Sequence, residues 1–381
     1  MDFALDDMQT SLVDTARRFA SEHLAPAYQE RERGGRIEPE LIRAMGELGL
    51  IAPEVPERHG GSGLDELSSG LVTEAIAMGD MNVAYVQIMA SLLSSCILGH
   101  GTAEAIDAVI PSLCRGEILG SIGVTEPRGG SDAAAMMLRA ERHGDHYLLN
   151  GEKTSISLAD QAAFNLTFAR TGTVEQRARG ISAFIVDLNA PGISRSRFDD
   201  LGEKAVGRGS IFFDNVRVEA AFRIGDEGQG FIQVMQGFDF SRALIGLQCI
   251  AVARVCLDET WQFIQERQAF GKPLAANQGI SFPLAELETQ LEGARLVCLK
   301  ALWLKSRGLP HTREAAMAKW WAPKLAFDIV QQCLLIHGHG GYSTELPFEQ
   351  RLRDVFGMQI GDGTAQIMKL IIAREQVGRI L

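Results

Sequence analysis

The chain has 381 residues, of which 46% are hydrophobic, and its formal net charge at pH 7 is -11. A chain of this length can bury a large core divided among two or three packed layers or domains. The acidic balance argues against a nucleic-acid binder, which needs a basic surface to displace counterions, and it means that any anionic ligand must meet a local cluster of Lys and Arg.

Residues 1–118 have the pattern of a helical domain. Apolar residues recur at three- and four-residue spacing from Met8 to Leu24 and from Glu38 to Gly49, which predicts two amphipathic helices. After a Gly-rich break, the long apolar stretch from Leu67 to Leu98 is rich in small residues. This composition predicts a buried pair of helices.

Residues 119–228 change to short β-type runs separated by Gly, Pro, Asn and Asp, which predicts a small sheet or barrel. The predicted strands are Ile118–Thr125, His146–Lys153, Phe164–Ala169, Ser182–Asp187 and Ser210–Val218.

Residues 229–381 return to long helical patterns, from Gly230 to Arg267, from Ser281 to Arg307 and from Thr312 to His337. The last pattern contains Pro323, where a helix start or a kink is needed. The whole chain is therefore predicted to be α+β, with a β domain between a helical domain and a helical bundle. Because no GxGxxG follows a strand, a dinucleotide must bind by a geometry other than the Rossmann one.

Targeting and redox signals are absent from the sequence pattern. No apolar segment precedes a cleavage site, and no run of about 18 apolar residues long enough to span a bilayer is recognised. The six cysteines are widely spaced and form no CxxC pair, so reduced core thiols in a cytoplasmic protein are expected. No metal site is expected, because the eight histidines show no HExxH spacing.

The segment Val124–Asp132 reads Val-Thr-Glu-Pro-Arg-Gly-Gly-Ser-Asp. It resembles the V/L-T-E-P-x-x-G-S-D segment of acyl-CoA dehydrogenases. The resemblance implies that Thr125 hydrogen-bonds the flavin ring of FAD and that Val124 adds backbone contacts. It also implies that Ser131 lies near a phosphate and the CoA arm of the substrate. The alternative interpretation is a Gly-rich turn with a capping serine.

The segment Gly151–Ser157 is similar to the family motif G-x-K-x-W-I-T/S, in which the tryptophan covers the flavin and the hydroxyl residue reaches its N5. Ser157 matches the hydroxyl residue, and Ile156 matches its neighbour. Ser155 stands where the tryptophan is expected, which opens space beside the ring.

The pattern ERxxFGxP, followed by Gln278, resembles another family signature. It implies that Arg267 reaches the FAD phosphates across a subunit interface, since a guanidinium fork suits a pyrophosphate. Phe270 and Gln278 are expected to border the same cofactor. Upstream, Asp239 and Arg242 match positions that meet the CoA part of the substrate. A simple helix-end salt bridge remains the alternative for Arg267.

The turn Ile336–Tyr342 resembles the Q-I-x-G-G-x-G turn that holds the adenosine end of FAD, although His339 replaces the second glycine. Glycines let backbone N–H groups approach a phosphate closely. The predicted FAD contacts in this turn are His337, Gly338, Gly340 and Gly341.

The segment Gly361–Thr364 resembles the Tyr-Glu-Gly-Thr signature of the family, whose glutamate removes the α-proton of the substrate. The resemblance implies that Asp362 is the catalytic base and that Gly361 and Gly363 border the substrate. Thr364 and Gln366 are expected to contact FAD.

Another base position is known in the family, immediately before the arginine of the DxxR motif. Ser241 occupies that position here and cannot act as a comparable base. Glu126 and Asp132 lie in the predicted flavin loop, away from the substrate α-carbon in the family arrangement. These comparisons leave Asp362 as the predicted base.

Aspartate is shorter than glutamate by one C–C bond of ~1.5 Å, and a misplacement of ~1 Å can cost about a hundredfold in rate. Gly361 and Ser155 both enlarge the region around this short base. The sequence therefore predicts an alicyclic or branched acyl-CoA, such as cyclohexanecarboxyl-CoA or cyclohexenecarboxyl-CoA.

The resemblance also implies an electron-transferring flavoprotein as electron acceptor and a homo-oligomer, at least a dimer and by family pattern a homotetramer. Two alternatives remain open at this stage. One is a flavin oxidase of another carbon acid, similar to nitroalkane oxidase, and the other is a non-catalytic FAD-binding protein.

Overall fold

The computed structural model describes residues 4–378, and its first region is helical. The helices are α1 (Asp7–Phe19), α2 (Tyr28–Gly34), α3 (Pro39–Glu47), α4 (Glu66–Ala77), α5 (Met81–His100) and α6 (Ala103–Cys114). A capping box starts α1, because the Asp6 side chain accepts the N–H of Gln9 at 2.7 Å. The helices predicted in this region are confirmed, and the apolar stretch is the buried pair α4 and α5.

The middle region forms one mixed sheet. Its strands are β1 (Gly120–Gly123), β2 (Arg139–His143), β3 (His146–Ser157), β4 (Phe164–Arg170), β5 (Ile181–Asp187), β6 (Ile193–Arg195), β7 (Arg208–Glu219) and β8 (Arg223–Ile224). Their order is β6-β7-β3-β2-β4-β5-β8, and β1 lies parallel to β4. All five predicted strands are present. The prediction missed β2 because only Ala140 is buried in it, so the strand reads as a polar loop.

Strand β3 contains a bulge next to the predicted flavin site. Lys153 pairs with Ile211 and Ile156 pairs with Gly209, so β3 has one residue more than β7 between these pairs. Ser155 lies within the bulge at φ +58° and is exposed. The bulge therefore turns Ser155 away from the sheet.

The last region is a helical bundle. Its elements are α7 (Gly230–Glu266), the short hairpin β9 (Gln268–Ala269) and β10 (Lys272–Pro273), α8 (Gln278–Ser306), α9 (Thr312–His337), α10 (His339–Tyr342), α11 (Phe348–Gly357) and α12 (Ala365–Val377). The three long helices predicted here are confirmed. Helix α9 runs through Pro323 as one element, so the helix start that the sequence allowed at this proline is not seen.

Two helices of the described chain, α5 and α7, are long and apolar enough to cross a membrane by length and composition alone. The expectation that no such segment exists was therefore wrong. In both helices 89% of the apolar window is buried inside the fold, where α7 packs against α4, α5, α8 and α9. Their apolar character is that of core helices.

Asp354 in α11 joins the three regions of the chain. Its Oδ2 accepts the hydroxyl of Tyr28 at 2.7 Å and the Asn82 side-chain amide at 3.0 Å. Its Oδ1 accepts the N–H of Glu203, in the loop before β7, at 2.6 Å. The side chain is fully buried, and burial raises its pKa to about 6 in spite of these donors. One carboxylate thus fixes α11 against both other regions.

The Asp354→Asn variant is expected to be less stable than the wild type. At pH 8 the wild-type carboxylate is ionised and accepts all three donors, whereas the amide turns an N–H2 group toward at least one of them. An unsatisfied buried donor costs about 1–3 kcal/mol. Chemical denaturation at pH 8 measures the difference. Asp132→Asn is the control, since Asp132 pairs with Arg177 at the surface, and equal stabilities of the two variants would contradict this role of Asp354.

Candidate active site

Asp362 lies in the turn between α11 and α12, which we call the base turn (residues 358–364). Its φ is +52°, a left-handed conformation that aspartate adopts more readily than most residues. Gly363 follows at φ +103°, and a Cβ there would lie 2.5 Å from Met368 Cε. Thr364 ends the turn by capping α12, because its hydroxyl accepts the N–H of Ile367 at 3.4 Å. The turn therefore requires glycine at 363.

Two residues of α7 hold Asp362. Ser241 Oγ donates to Asp362 Oδ2 at 3.1 Å, and Arg242 Nε donates to the Asp362 carbonyl at 3.3 Å. Burial raises the pKa of the Asp362 carboxyl, and nearby Lys319, the Ser241 hydrogen bond and Arg242 partly oppose that shift. A carboxylate with a raised pKa is suited to accept a proton near neutral pH. Sequence reasoning excluded Ser241 as a base but missed its contact with the base.

The backbone N–H of Asp362 makes no hydrogen bond within residues 4–378. Gly361, just before it, is exposed, and a Cβ built there meets no atom within 4 Å. The described structure thus has a free backbone donor at Asp362 and open space at the residue just before it, while substrate contacts at Gly361 and Gly363 remain predictions.

Asp239 and Arg242, the predicted CoA contacts, form one network. Arg242 donates to Asp239 Oδ1 at 2.7 Å, and the Thr312 hydroxyl donates to Asp239 Oδ2 at 2.6 Å. Arg242 is only 4% exposed. The network supports the backbone of the base, and contact with CoA remains a prediction for both residues.

Glu126 is fully engaged as a structural carboxylate. It accepts Lys153 Nζ at 2.8 Å and the backbone N–H groups of Met137 and Leu138 at 2.6 and 2.8 Å. Burial opposes its charge, but Lys153 and these hydrogen bonds outweigh burial and lower its pKa. Glu126 is therefore a poor proton acceptor, a second reason beside its predicted position in the flavin loop to set it aside as the base.

The two predicted flavin segments lie side by side. Thr154 in β3 donates its N–H to the Thr125 carbonyl at 2.9 Å, and Lys153 Nζ donates to the Val124 carbonyl at 3.0 Å. Thr125 is half-buried, while Ser131 further along the loop is exposed. The loop after β1 is thus fixed to β3, and its hydroxyl groups stay accessible.

Tyr85 in α5 connects this region to the base. Burial raises the pKa of Tyr85, the charge of Asp362 raises it further, and a hydrogen bond with Ser157 works in the opposite direction. Ser157 is half-buried at the end of β3, and its neighbour Ile156 is buried. The structure thereby places Ser157, Tyr85 and Asp362 in one neighbourhood. Sequence reasoning missed Tyr85, which lies within an apolar helix without any motif.

Arg267, Phe270 and Gln278 lie far from that neighbourhood. From Arg242 to the end of α7 the helix rises by about 36 Å at ~1.5 Å per residue. Arg267 is exposed, and Phe270 is 99% exposed at φ +52° on the β9–β10 hairpin. The structure therefore separates these predicted FAD contacts from Asp362 of the same chain.

The turn after α9 has structural functions of its own. The His337 ring packs between Phe263 and Phe348, with centroid distances of 4.2 and 4.4 Å, and its Nδ1 lies 2.9 Å from the Cys333 carbonyl. Burial lowers the pKa of His337. Its ring is thus occupied inside the bundle, and a contact with FAD would have to use its backbone.

Glycines in the same turn are required for different reasons. Gly338 has φ +59° and open space around it, so its conformation requires glycine. Gly341 is packed, because a Cβ there would lie 2.2 Å from the Leu334 carbonyl, whereas Gly340 has room for one. A phosphate contact in this turn, like those of Thr364 and the exposed Gln366, remains a prediction.

Three family models match successive parts of the chain. They describe the acyl-CoA dehydrogenase N-terminal domain at residues 6–117, the middle domain at residues 121–216 and the C-terminal domain at residues 228–377. The matches follow one another in that order and cover most of the sequence.

Individual proteins match over the same length. An acyl-CoA dehydrogenase of Bacillus subtilis is 36% identical over 97% of this chain and 98% of its own. The glutaryl-CoA dehydrogenase of Desulfococcus multivorans is 35% identical over 99% of this chain and 98% of its own. The butyryl-CoA dehydrogenase structure of Megasphaera elsdenii has a TM-score of 0.95 at 33% identity and covers 99% of this chain and 100% of that chain.

The fold, the half-buried carboxylate in the base turn and these full-length matches agree with one another. Members of the matched family use FAD to dehydrogenate acyl-CoA. The chain belongs to the acyl-CoA dehydrogenase family and is an FAD-dependent oxidoreductase of that family.

Proposed function

We propose that Asp362 removes the α-proton of an alicyclic or branched acyl-CoA, such as cyclohexanecarboxyl-CoA or cyclohexenecarboxyl-CoA. The open space at Gly361 is the observation that carries the proposal, because no atom lies within 4 Å of a Cβ placed there. Asp362 is shorter than a glutamate by ~1.5 Å. A substrate that is bulky at Cα and Cβ fills the open space and brings its proton to the short base.

The residues around the flavin segments fit FAD. Ser157 and Thr125 offer hydroxyl groups on two segments that are hydrogen-bonded together, and the bulge beside them carries only the small, exposed side chain of Ser155. FAD, when bound, accepts the hydride that leaves the substrate β-carbon. The chain's own part is to hold the substrate, polarise its carbonyl and accept the proton.

The α-proton of a thioester is a weak acid, so negative charge on the carbonyl oxygen must be stabilised as the proton leaves. The free N–H of Asp362 is suited to donate to that oxygen. Ser241 fixes one carboxylate oxygen and leaves the other for the proton. Both functions therefore depend on the same left-handed residue.

Straight-chain substrates are the competing class, since the relatives include dehydrogenases of butyryl-CoA and glutaryl-CoA. The sequence at 361–362 favours the bulky class over them, because a linear chain leaves the space at Gly361 empty and its α-proton distant from the aspartate.

The proposed assembly is a homo-oligomer, at least a dimer and by family pattern a tetramer. Since the end of α7, just before Arg267 and Phe270, lies about 36 Å along the helix from Arg242, which contacts the base, we assign these two residues to the FAD site of a second copy. Their exposure fits that assignment. We further propose an electron-transferring flavoprotein as acceptor and a reducing, cytoplasmic setting, in which all six cysteines remain free as the structure has them.

The Ser241→Ala variant is expected to shift the pH profile of FAD reduction by acyl-CoA. The base is active when ionised, so the rate rises with pH through the pKa of Asp362. Ser241 stabilises the ionised form, and its loss moves the rising limb to higher pH while the plateau is largely kept. Stopped-flow absorbance measures both. Asp362→Asn should retain FAD and lose the reaction, and retained bleaching of FAD by that variant would remove Asp362 as the base.

A panel of cyclic and linear acyl-CoA esters tests the substrate class. The wild type is expected to reduce FAD faster with ring substrates than with straight C4–C8 esters. Asp362→Glu combined with Gly361→Tyr is expected to reverse that preference, by about tenfold or more, because it lengthens the base and fills the space. A wild-type preference for linear esters that neither substitution alters would contradict the proposal.

The Arg267→Ala and Phe270→Ala variants test the assignment of these residues to a second copy. Both are expected to lower FAD retention on gel filtration, while Asp362 still folds into its own turn. The exposed Arg217 provides the matched control, Arg217→Ala, because this arginine pairs with Glu219 at the surface and lies outside the predicted FAD segments. If a dilute monomer retained FAD as firmly as the assembled protein, the second copy would have no part in the site.

A further inference from the structure

Lys319 in α9 is a buried cation to which none of the sequence motifs assigns a function. It is 1% exposed, and its hydrogen bonds in the described chain are made to backbone carbonyls and not to a carboxylate. A buried lysine needs partners, because removal of a charge from water costs several kcal/mol. The groups that contact Lys319 must therefore offset this cost.

The partners of Lys319 are two carbonyl groups of the base turn. Its Nζ donates to the Met358 carbonyl at 2.6 Å and to the Gly363 carbonyl at 3.4 Å. These groups lie before and after Asp362 along the chain. Arg242 Nε donates to the carbonyl of Asp362 itself at 3.3 Å. Two buried cations thus hold three carbonyls of one turn.

This arrangement fixes the direction of the groups that the reaction uses. The peptide between Asp362 and Gly363 has left-handed residues on both sides, at φ +52° and +103°. Such a conformation persists only where neighbouring contacts determine it. The cations hold carbonyls before, at and after Asp362, so they fix the backbone of the residue whose side chain and free N–H the reaction uses.

The charge of Lys319 also acts on Asp362. After burial, this charge has the largest effect on the pKa of the Asp362 carboxyl, which it lowers in favour of the ionised form. Burial in turn lowers the pKa of Lys319 to about 8, against the charge of Asp362. Three further groups face Lys319, namely Cys249 and Arg242 on α7 and Glu203 in the loop before β7.

We propose that Lys319 is a positioning residue for proton abstraction, which holds the base turn by its carbonyls and thereby orients Asp362. The proposal rests on the proposed function of Asp362 as the base. Lys319 touches neither substrate nor FAD in this assignment, so its effect is transmitted through the base turn alone.

Exchange of α-protons with D2O tests this step without any hydride transfer. Phenylacetyl-CoA is a suitable probe, because it has acidic α-protons and its β-carbon is a ring carbon without hydrogen. The holoenzyme is incubated with the probe, and proton NMR follows the loss of the α-signal across pH. The wild type is expected to catalyse exchange, and Lys319→Met to slow it by about tenfold to a hundredfold near pH 7, since the turn is released.

The pH profile separates positioning from general damage to the fold. In Lys319→Met the rising limb of exchange is expected to move to higher pH, because the ionised base has lost the positive charge that favours it most. Lys319→Arg, which keeps the charge, is expected to keep the position of that limb. Lys324→Met is the matched control on the same helix, where the side chain is 56% exposed and pairs with Asp328. FAD content and thermal unfolding are measured for each variant.

The proposal would be overturned if Lys319→Met catalysed exchange at the wild-type rate and with the rising limb of its pH profile at the wild-type pH. If that variant does not fold, Lys319→Gln against Lys319→Arg gives the same decision, since only the arginine keeps the charge. The failure of the proposed function is distinguishable, because it would appear as exchange by Asp362→Asn.

Discussion

A carboxylate removed from water must be surrounded by donors, and Asp354 meets this requirement with donors from three different parts of the chain. Tyr28 and Asn82 come from the first helical region and the Glu203 N–H comes from the loop before β7. The helix that carries Asp354 leads directly into the base turn. The position of Asp362 relative to the β sheet and α5 therefore depends on this buried anion, and only then on local contacts.

The base turn itself shows how unusual local structure is maintained. A left-handed aspartate at 362 is disfavoured in a free peptide, yet Ser241, Arg242 and Lys319 each hold one part of the turn. All three come from the long helices of the bundle. The arrangement shields the carboxyl from water, which raises its pKa, and supplies enough positive charge for the ionised form to persist.

Much of the fold and the identity of the base were predictable from sequence. Long apolar periods predicted α7, α8 and α9, and a short motif with one altered residue indicated Asp362. Strand β2 was not predictable, since four of its five residues are exposed. Tyr85 and Lys319 were also missed, because each lies in a helix outside any recognised motif and acquires a function only through its partner in another element. The apolar character of α5 and α7 was underestimated because single polar residues interrupt both helices. A search for an uninterrupted apolar run misses such helices, whereas their mean hydropathy reveals them.

In the proposed assembly, the length of α7 determines which chain loses activity when a residue is substituted. One rigid helix carries the support of its own base in the middle and, at its end, residues assigned to the cofactor of another copy. A substitution at Asp362 then inactivates the chain that bears it, whereas a substitution at Arg267 inactivates a neighbour. In mixed oligomers two such defective chains can complement each other, since one site receives an intact base and an intact arginine. The activity of such a mixture would depend on which chains pair within an oligomer, and not on the amount of either variant.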